Sequence, residues 1–258
     1  MAKSDKILSL FLLACLSALP SGFAQAQEQN VEERARALNK EGASLLGQGK
    51  SQEAAEQFRK SIAIYPQGAA AHNNLGLVLK QLGQMAEAEK EARQAIKIKA
   101  DKANYHFNLG LILQHQSKWA EADASFREAL KLDPMDPENH FNLGLILQHQ
   151  SKWAEADASF REALKLDPMD PENHFKLAQV LLSESRPQDA VEEVKLAILM
   201  KPAEPPYHKL LADSFLEQKK YDDALCEYRS TIELDPQSKE AGDIKSKIDY
   251  LKQVLNLH

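Results

Sequence analysis

The sequence predicts an all-α fold in which two-helix units stack one upon the next. Three observations carry that reading: a 34-residue period, apolar stripes at helical spacing, and small residues and prolines recurring at fixed places in the period. A lone helix pair cannot bury both of its faces, so such units must cover one another.

The period is literal in the middle of the chain, where residues 106–141 and 140–175 are the same 36-residue string. Shifting the frame by 34 in either direction recovers weaker copies. A small residue recurs as Gly42, Gly76, Gly110, Gly144, Ala178 and Ala212, and an alanine twelve positions later as Ala54, Ala88, Ala122, Ala156, Ala190 and Ala224. Proline closes most units, at Pro66, Pro134, Pro168, Pro202 and Pro236, with Ala100 the exception. Six repeats follow: 35–68, 69–102, 103–136, 137–170, 171–204 and 205–238.

Within the third unit, His106, Leu109, Gly110 and Leu113 share one face of a helix, and Trp119, Ala122, Phe126, Ala129 and Leu130 form the stripe of a second. Gly110 and Ala122 permit close approach while Trp119 and Phe126 fill the volume around it. Ser117 is the expected N-cap of the second helix, and Asp136 with Pro137 is expected to cap and start the next unit. After Pro236 a further helix is expected, with Ile244, Ile248, Leu251 and Leu255 on one side. An apolar side toward the last repeat and a polar side in water suit a capping helix, 239–258.

The N-terminus reads as an address. Lys3 and Lys6 precede the apolar run Ile7–Leu19, which is followed by Pro20, Gly22 and the small-x-small sequence Ala24-Gln25-Ala26. A bilayer span needs about 20 apolar residues, so the run is too short to cross and matches a cleaved secretory signal, 1–26, with a lead-in at 27–34. The expected location is the bacterial periplasm. Leu12-Leu13-Ala14-Cys15 also resembles a lipoprotein signal, so a lipid on Cys15 is the alternative, and either way the membrane is met only through this segment. Cleavage leaves Cys226 as a single thiol, unable to form an internal disulfide.

Composition excludes several functions. A net charge of −6 from 32 basic and 38 acidic residues opposes phosphate binding, and 2 Trp with 6 Tyr provide no base-stacking platform, so no nucleic-acid partner is expected. Gly47-Gln48-Gly49-Lys50-Ser51 has the tail of a phosphate-binding loop, but Ser44 stands where that loop needs glycine, and no strand precedes it. No catalytic motif occurs, and no enzyme activity or cofactor is expected. His72, His106, His140, His174 and His208 recur at one repeat position. Neighbouring helices lie ~8–10 Å apart, too far for successive rungs to share one metal, so the ladder reads as half-buried packing rather than a metal or haem site.

The spacing resembles that of the tetratricopeptide-repeat (TPR) family. The resemblance rests on His106, Leu109, Gly110, Leu113, Ala122, Phe126, Ala129 and Pro134, matched again by His140, Leu143, Gly144, Leu147, Ala156, Phe160, Ala163 and Pro168. It covers residues 35–238, and departs from the pattern at Glu41, Ser61 and Pro187. It implies a right-handed α-solenoid whose first helices line a concave groove for a peptide or partner helix. The positions it places in the groove are Phe107, Leu111 and Gln114, then Phe141, Leu145 and Gln148, then Phe175, Gln179 and Leu182, flanked by Asn108, Asn142, His115 and His149. Packing against neighbouring repeats is the competing role for these side chains. The groove lacks the Lys and Asn pattern with which some members grip C-terminal carboxylates: Asn39, Asn73, Phe107 and Phe141 occupy that row. The expected function is a non-enzymatic, exported scaffold for a protein or peptide. Its alternatives are a non-catalytic partner of a separate enzyme or envelope assembly, and a metal or haem carrier.

Overall fold

The computed structural model describes residues 21–256. Residues 1–20, with Cys15 and most of the expected export signal, lie outside the described residues. Thirteen helices and no strands are found among those described. They are α1 (Ser21–Gly47), α2 (Ser51–Ile64), α3 (Ala69–Gln81), α4 (Met85–Ile98), α5 (Ala103–His115), α6 (Trp119–Leu132) and α7 (Pro137–His149). The remainder are α8 (Trp153–Leu166), α9 (Pro171–Ser183), α10 (Pro187–Met200), α11 (Pro205–Glu217), α12 (Tyr221–Leu234) and α13 (Ala241–Val254). The chain divides into two compact units, 1–112 and 113–258.

In the first unit α1 pairs with α2 and α3 with α4; in the second, α7 pairs with α8, α9 with α10 and α11 with α12. Second helices also touch the next first helix, as α2 does α3, α8 does α9 and α10 does α11. First helices touch one another as well: α1 meets α3, α7 meets α9, and α9 meets α11. First helices therefore lie side by side on one face of each unit, and second helices on the other. α1 runs without a break through 27–34 and through the expected cleavage point at Ala26.

The core follows the small residues. Ala156, Phe160, Ala163, Leu143 and Leu147 are buried between α7 and α8, where a β-carbon at Gly144 would lie only 2.7 Å from Phe160 Cε1. Glycine there is a condition of the close approach. The departures from the repeat pattern are accommodated singly. Buried Ser61, in an alanine position, donates its hydroxyl to the Ala35 carbonyl at 2.7 Å, and Glu41 accepts from Gln57 Nε2 at 3.0 Å. Pro187 sits in the first turn of α10, where no backbone donor is lost. Ile244, Ile248 and Leu251 of α13 are buried, and α13 packs on α12.

Helix ends correct one sequence expectation. Ser117 is not the N-cap of α6; Lys118 precedes that helix, and no side chain caps it. Ser117 instead takes φ +58, closing α5 in the left-handed conformation that Gly49 (+77) and Gly83 (+76) adopt at the ends of α1 and α3. The Lys118 N–H donates to the Leu113 carbonyl at 2.9 Å and the Ser117 N–H to that of Gln114 at 2.9 Å, the two bonds of a Schellman turn. Asp136 does cap α7, accepting from the N–H groups of Glu138 and Asn139, with Pro137 in the first turn.

Candidate protein-binding face

The first helices position the candidate residues because their packing side is already committed. Leu143, Gly144 and Leu147 face α8, which leaves Phe141, Leu145 and Gln148, about 100° around the helix, half-buried on the shared face. Phe141 leans on Phe160 with ring centroids 5.7 Å apart. In the next pair Gln179 and Leu182 are half-buried, and Gln148 Nε2 donates to Gln179 Oε1 at 3.4 Å. Phe175 is buried, its ring 4.8 Å from that of Tyr207. Packing therefore describes Phe175 better than ligand contact does. His149 is exposed at its α-helix end but stacks on Trp119 at 3.7 Å, while Gln114 is half-buried and His115 exposed.

The flanking asparagines are engaged internally. Asn142 is buried and donates to the Glu138 carbonyl at 2.8 Å. In the first unit Phe107 and Leu111 are half-buried, whereas Asn108 is buried and donates to Asn73 Oδ1 at 2.9 Å. Asn74 donates in turn to Asn39 Oδ1 at 3.0 Å, so amides tie first helix to first helix.

A cavity of about 550 Å³ opens beside Gln179, lined further by Phe175, Lys209, Asp213, Glu240 and Ile244. Asp213 in its lining accepts from the Tyr228 hydroxyl and lies 2.6 Å from Lys247 Nζ. Burial and the neighbouring Asp213 carboxylate push the Tyr228 phenol well above its ordinary range, so it stays a donor at any physiological pH.

The histidine ladder has a structural role that sequence reading left as generic packing. In each rung Nε2 donates to the carbonyl six residues earlier: His72 to Pro66 at 3.0 Å, His106 to Ala100 at 2.9 Å, His140 to Pro134 at 2.9 Å, His174 to Pro168 at 3.1 Å and His208 to Pro202 at 2.9 Å. Three rungs add a carboxylate nineteen residues on, Glu91, Glu193 and Glu227, at 2.6, 2.7 and 2.7 Å from Nδ1. Ser125 and Ser159 hold that place in the duplicated units. The signal was present as a His-to-Glu spacing in units two, five and six. Among the described residues no group of His, Cys, Asp or Glu is placed to hold a metal ion, and no helix is long and apolar enough to cross a membrane. The residue following the phosphate-loop-like Gly-Gln-Gly-Lys, Ser51, opens a helix entered from another helix. Cys226 is free and exposed.

Stacked helix pairs with first helices sharing one face define an α-solenoid of the helix-turn-helix repeat class. One tetratricopeptide-repeat profile matches residues 23–69, 39–103 and 107–171, and another matches 147–213, so the chain belongs to the tetratricopeptide-repeat family. The fold is similar to that of Pseudomonas aeruginosa PilF, with TM-score 0.73 and 24% identity over 84% of this chain and 99% of that one. It is similar also to PilW, a widely conserved type IV pilus biogenesis factor (TM-score 0.71, 19% identity, 81% of this chain and 97% of that one). A third is YrrB, a TPR protein with an unusual peptide-binding site (TM-score 0.68, 19% identity, 74% of this chain and 99% of that one). No curated protein matches the chain.

Proposed function

We propose that this protein is a non-enzymatic, exported scaffold that holds a segment of a partner protein against the face formed by its first helices. The observation that carries the reading is in the second unit. Phe141, Leu145, Gln148, Gln179 and Leu182 form a half-buried row of apolar and amide groups on adjacent first helices, and Gln179 opens into the 550 Å³ cavity. Such a row suits a bound segment, whose apolar side chains seat between the ribs while side-chain amides fix its backbone. Phe175 supports the row from beneath. Phe107, Asn108 and Leu111 belong to a matching face of the first unit, while Gln114, His115, Asn142 and His149 belong with the row of the second.

The similarity in fold to YrrB, a protein with a peptide-binding site, supports a binding role, and that to the pilus biogenesis factor PilW favours an envelope assembly as the setting; a separate enzyme whose non-catalytic partner this is would be the second reading. Export rests on the Lys3–Ala26 pattern, and a periplasmic location follows from it.

A photoreactive amino acid placed at Leu145 in living cells tests the proposal. Crosslinks to a discrete partner from position 145, and none from exposed Glu162 on α8, are expected. Crosslinks from 162 alone would move the interface to the second helices. N-terminal sequencing of the mature chain checks the address: it should begin at or near Gln27, whereas an acylated Cys15 would establish the lipoprotein form.

A further inference from the structure

Between the starts of α7 and α9 lies a cavity of about 150 Å³ lined by Glu138, Phe141, Asp167, Asp170 and Asn173. Asn173 is 2% exposed, and its Oδ1 has no hydrogen-bond partner among the described residues. A buried acceptor left without a donor is costly and calls for an explanation.

One repeat further on, the corresponding place is filled by the chain itself. Tyr207 stands 34 residues after Asn173, and Phe175 and Glu172 stand 34 after Phe141 and Glu138. The Tyr207 ring lies 4.8 Å from that of Phe175, and its hydroxyl donates to Glu172 Oε2 at 3.4 Å. The site therefore takes a flat group on the phenylalanine ring with a hydrogen-bond donor at the glutamate. Where the chain offers only Asn173, the place is left open to a group of that shape from outside.

Charge decides its class. Lys201 in the filled site corresponds to Asp167 in the open one, so the open cavity has three carboxylates and no cation among its lining residues. Asp170 accepts from the Glu172 N–H at 3.0 Å and Asp167 from the Met169 N–H at 3.3 Å, but none of the three carboxylates forms an ion pair among the described residues. The adjacent His174 offers no free donor, since its ring nitrogens are already engaged by Glu193 and the Pro168 carbonyl. No group of carboxylates here is placed to hold a metal ion.

We infer that this cavity receives a basic side chain, arginine above all, from the segment bound on the first-helix face; the inference rests on the binding role proposed above. A guanidinium has the required plane to lie on Phe141, and donors enough to reach the carboxylates and Asn173 together. Its volume exceeds what one ordered water would fill.

The test uses the full mature chain and N-acetyl-arginine methylamide, with N-acetyl-norleucine methylamide as the uncharged probe. The Asn173 side-chain amide resonances are followed by NMR. A saturable shift with the arginine probe is expected, at least fivefold weaker with norleucine. Asn173→Tyr, which fills the cavity as Tyr207 fills its counterpart, should abolish the shift of neighbouring backbone resonances. Asp167→Lys, at an exposed position, should weaken binding at least fivefold without disturbing the fold. Absence of a saturable shift would mean that the cavity holds water only, and equal binding of both probes or undiminished binding by D167K would also overturn the inference. Crosslinking at Leu145 without an arginine shift would refute this inference alone; an arginine shift without that crosslink would refute the scaffold reading and, with it, the bound segment as the source of the arginine, leaving the cavity as a guanidinium site only.

Discussion

His174 Nδ1 lies 2.7 Å from Glu193 Oε2 while the opposite ring nitrogen meets the Pro168 carbonyl. Carboxylates and carbonyls only accept, so both ring nitrogens must donate for the arrangement to be satisfied, and the ring is then an imidazolium. The hydrogen bond to Glu193 raises the His174 pKa above its ordinary 6.5, against the opposing effect of burial. At His72 burial is the largest influence and pulls downward, but the bonds to Glu91 and Pro66 and the Glu91 charge outweigh it.

A raised folded pKa sets the sign of the pH dependence. The contribution is fully present below the unfolded value, near 6.5, and is lost as pH rises through the folded value. Glu193→Gln should therefore cost about 1–2 kcal/mol at pH 6 and distinctly less at pH 8, read from denaturant unfolding. An equal cost at both values would show that the ring is neutral in the fold.

Gly144→Ala should destabilise by about 1–3 kcal/mol, because its β-carbon would stand 2.7 Å from the buried Phe160 ring, which would have to shift. Gly47→Ala, with nothing within 4 Å of the added carbon at the end of α1, should be neutral or raise stability by up to about 1 kcal/mol. Thermal melts of the two variants compare them directly; equal effects would mean that the approach of α7 to α8 is looser than described.

Ser151 holds φ +57 at the end of α7, where the first two helix pairs use glycine. Ser151→Gly should gain roughly 1 kcal/mol in chemical denaturation, since only the left-handed strain is removed. A loss would indicate that the serine side chain contributes more than its backbone conformation costs.

Phe175→Ser should cost about 3 kcal/mol or more, because it empties the space beneath Tyr207, while half-buried Phe141→Ser should cost less. Denaturation midpoints decide between them. Similar losses would make Phe141 a packing residue too.

These contrasts show which features the sequence could reveal. The 34-residue recurrence of Gly144 and Ala156 made the helix pairing legible, since only small residues allow that approach. Ser117 misled because serine favours N-caps in general; alignment with Gly49 and Gly83 marks it as a left-handed helix end. Phe141 and Phe175 are indistinguishable within their own helices. Their different burial depends on Tyr207 standing above one and Asn173 above the other, a relation between repeats that a stripe drawn on one helix does not contain. The His–Glu rungs join the two helices of one unit, so their nineteen-residue spacing shows only when both helices are read together.

The most direct measurement of the central claim is calorimetric titration of the partner crosslinked at Leu145 into wild-type protein and Leu145→Ser, with helicity followed by circular dichroism. Tenfold or greater weakening with an unchanged spectrum is expected, as for an apolar contact at the centre of an interface. Unchanged affinity in a folded Leu145→Ser protein would contradict it and take the binding site off the first-helix face.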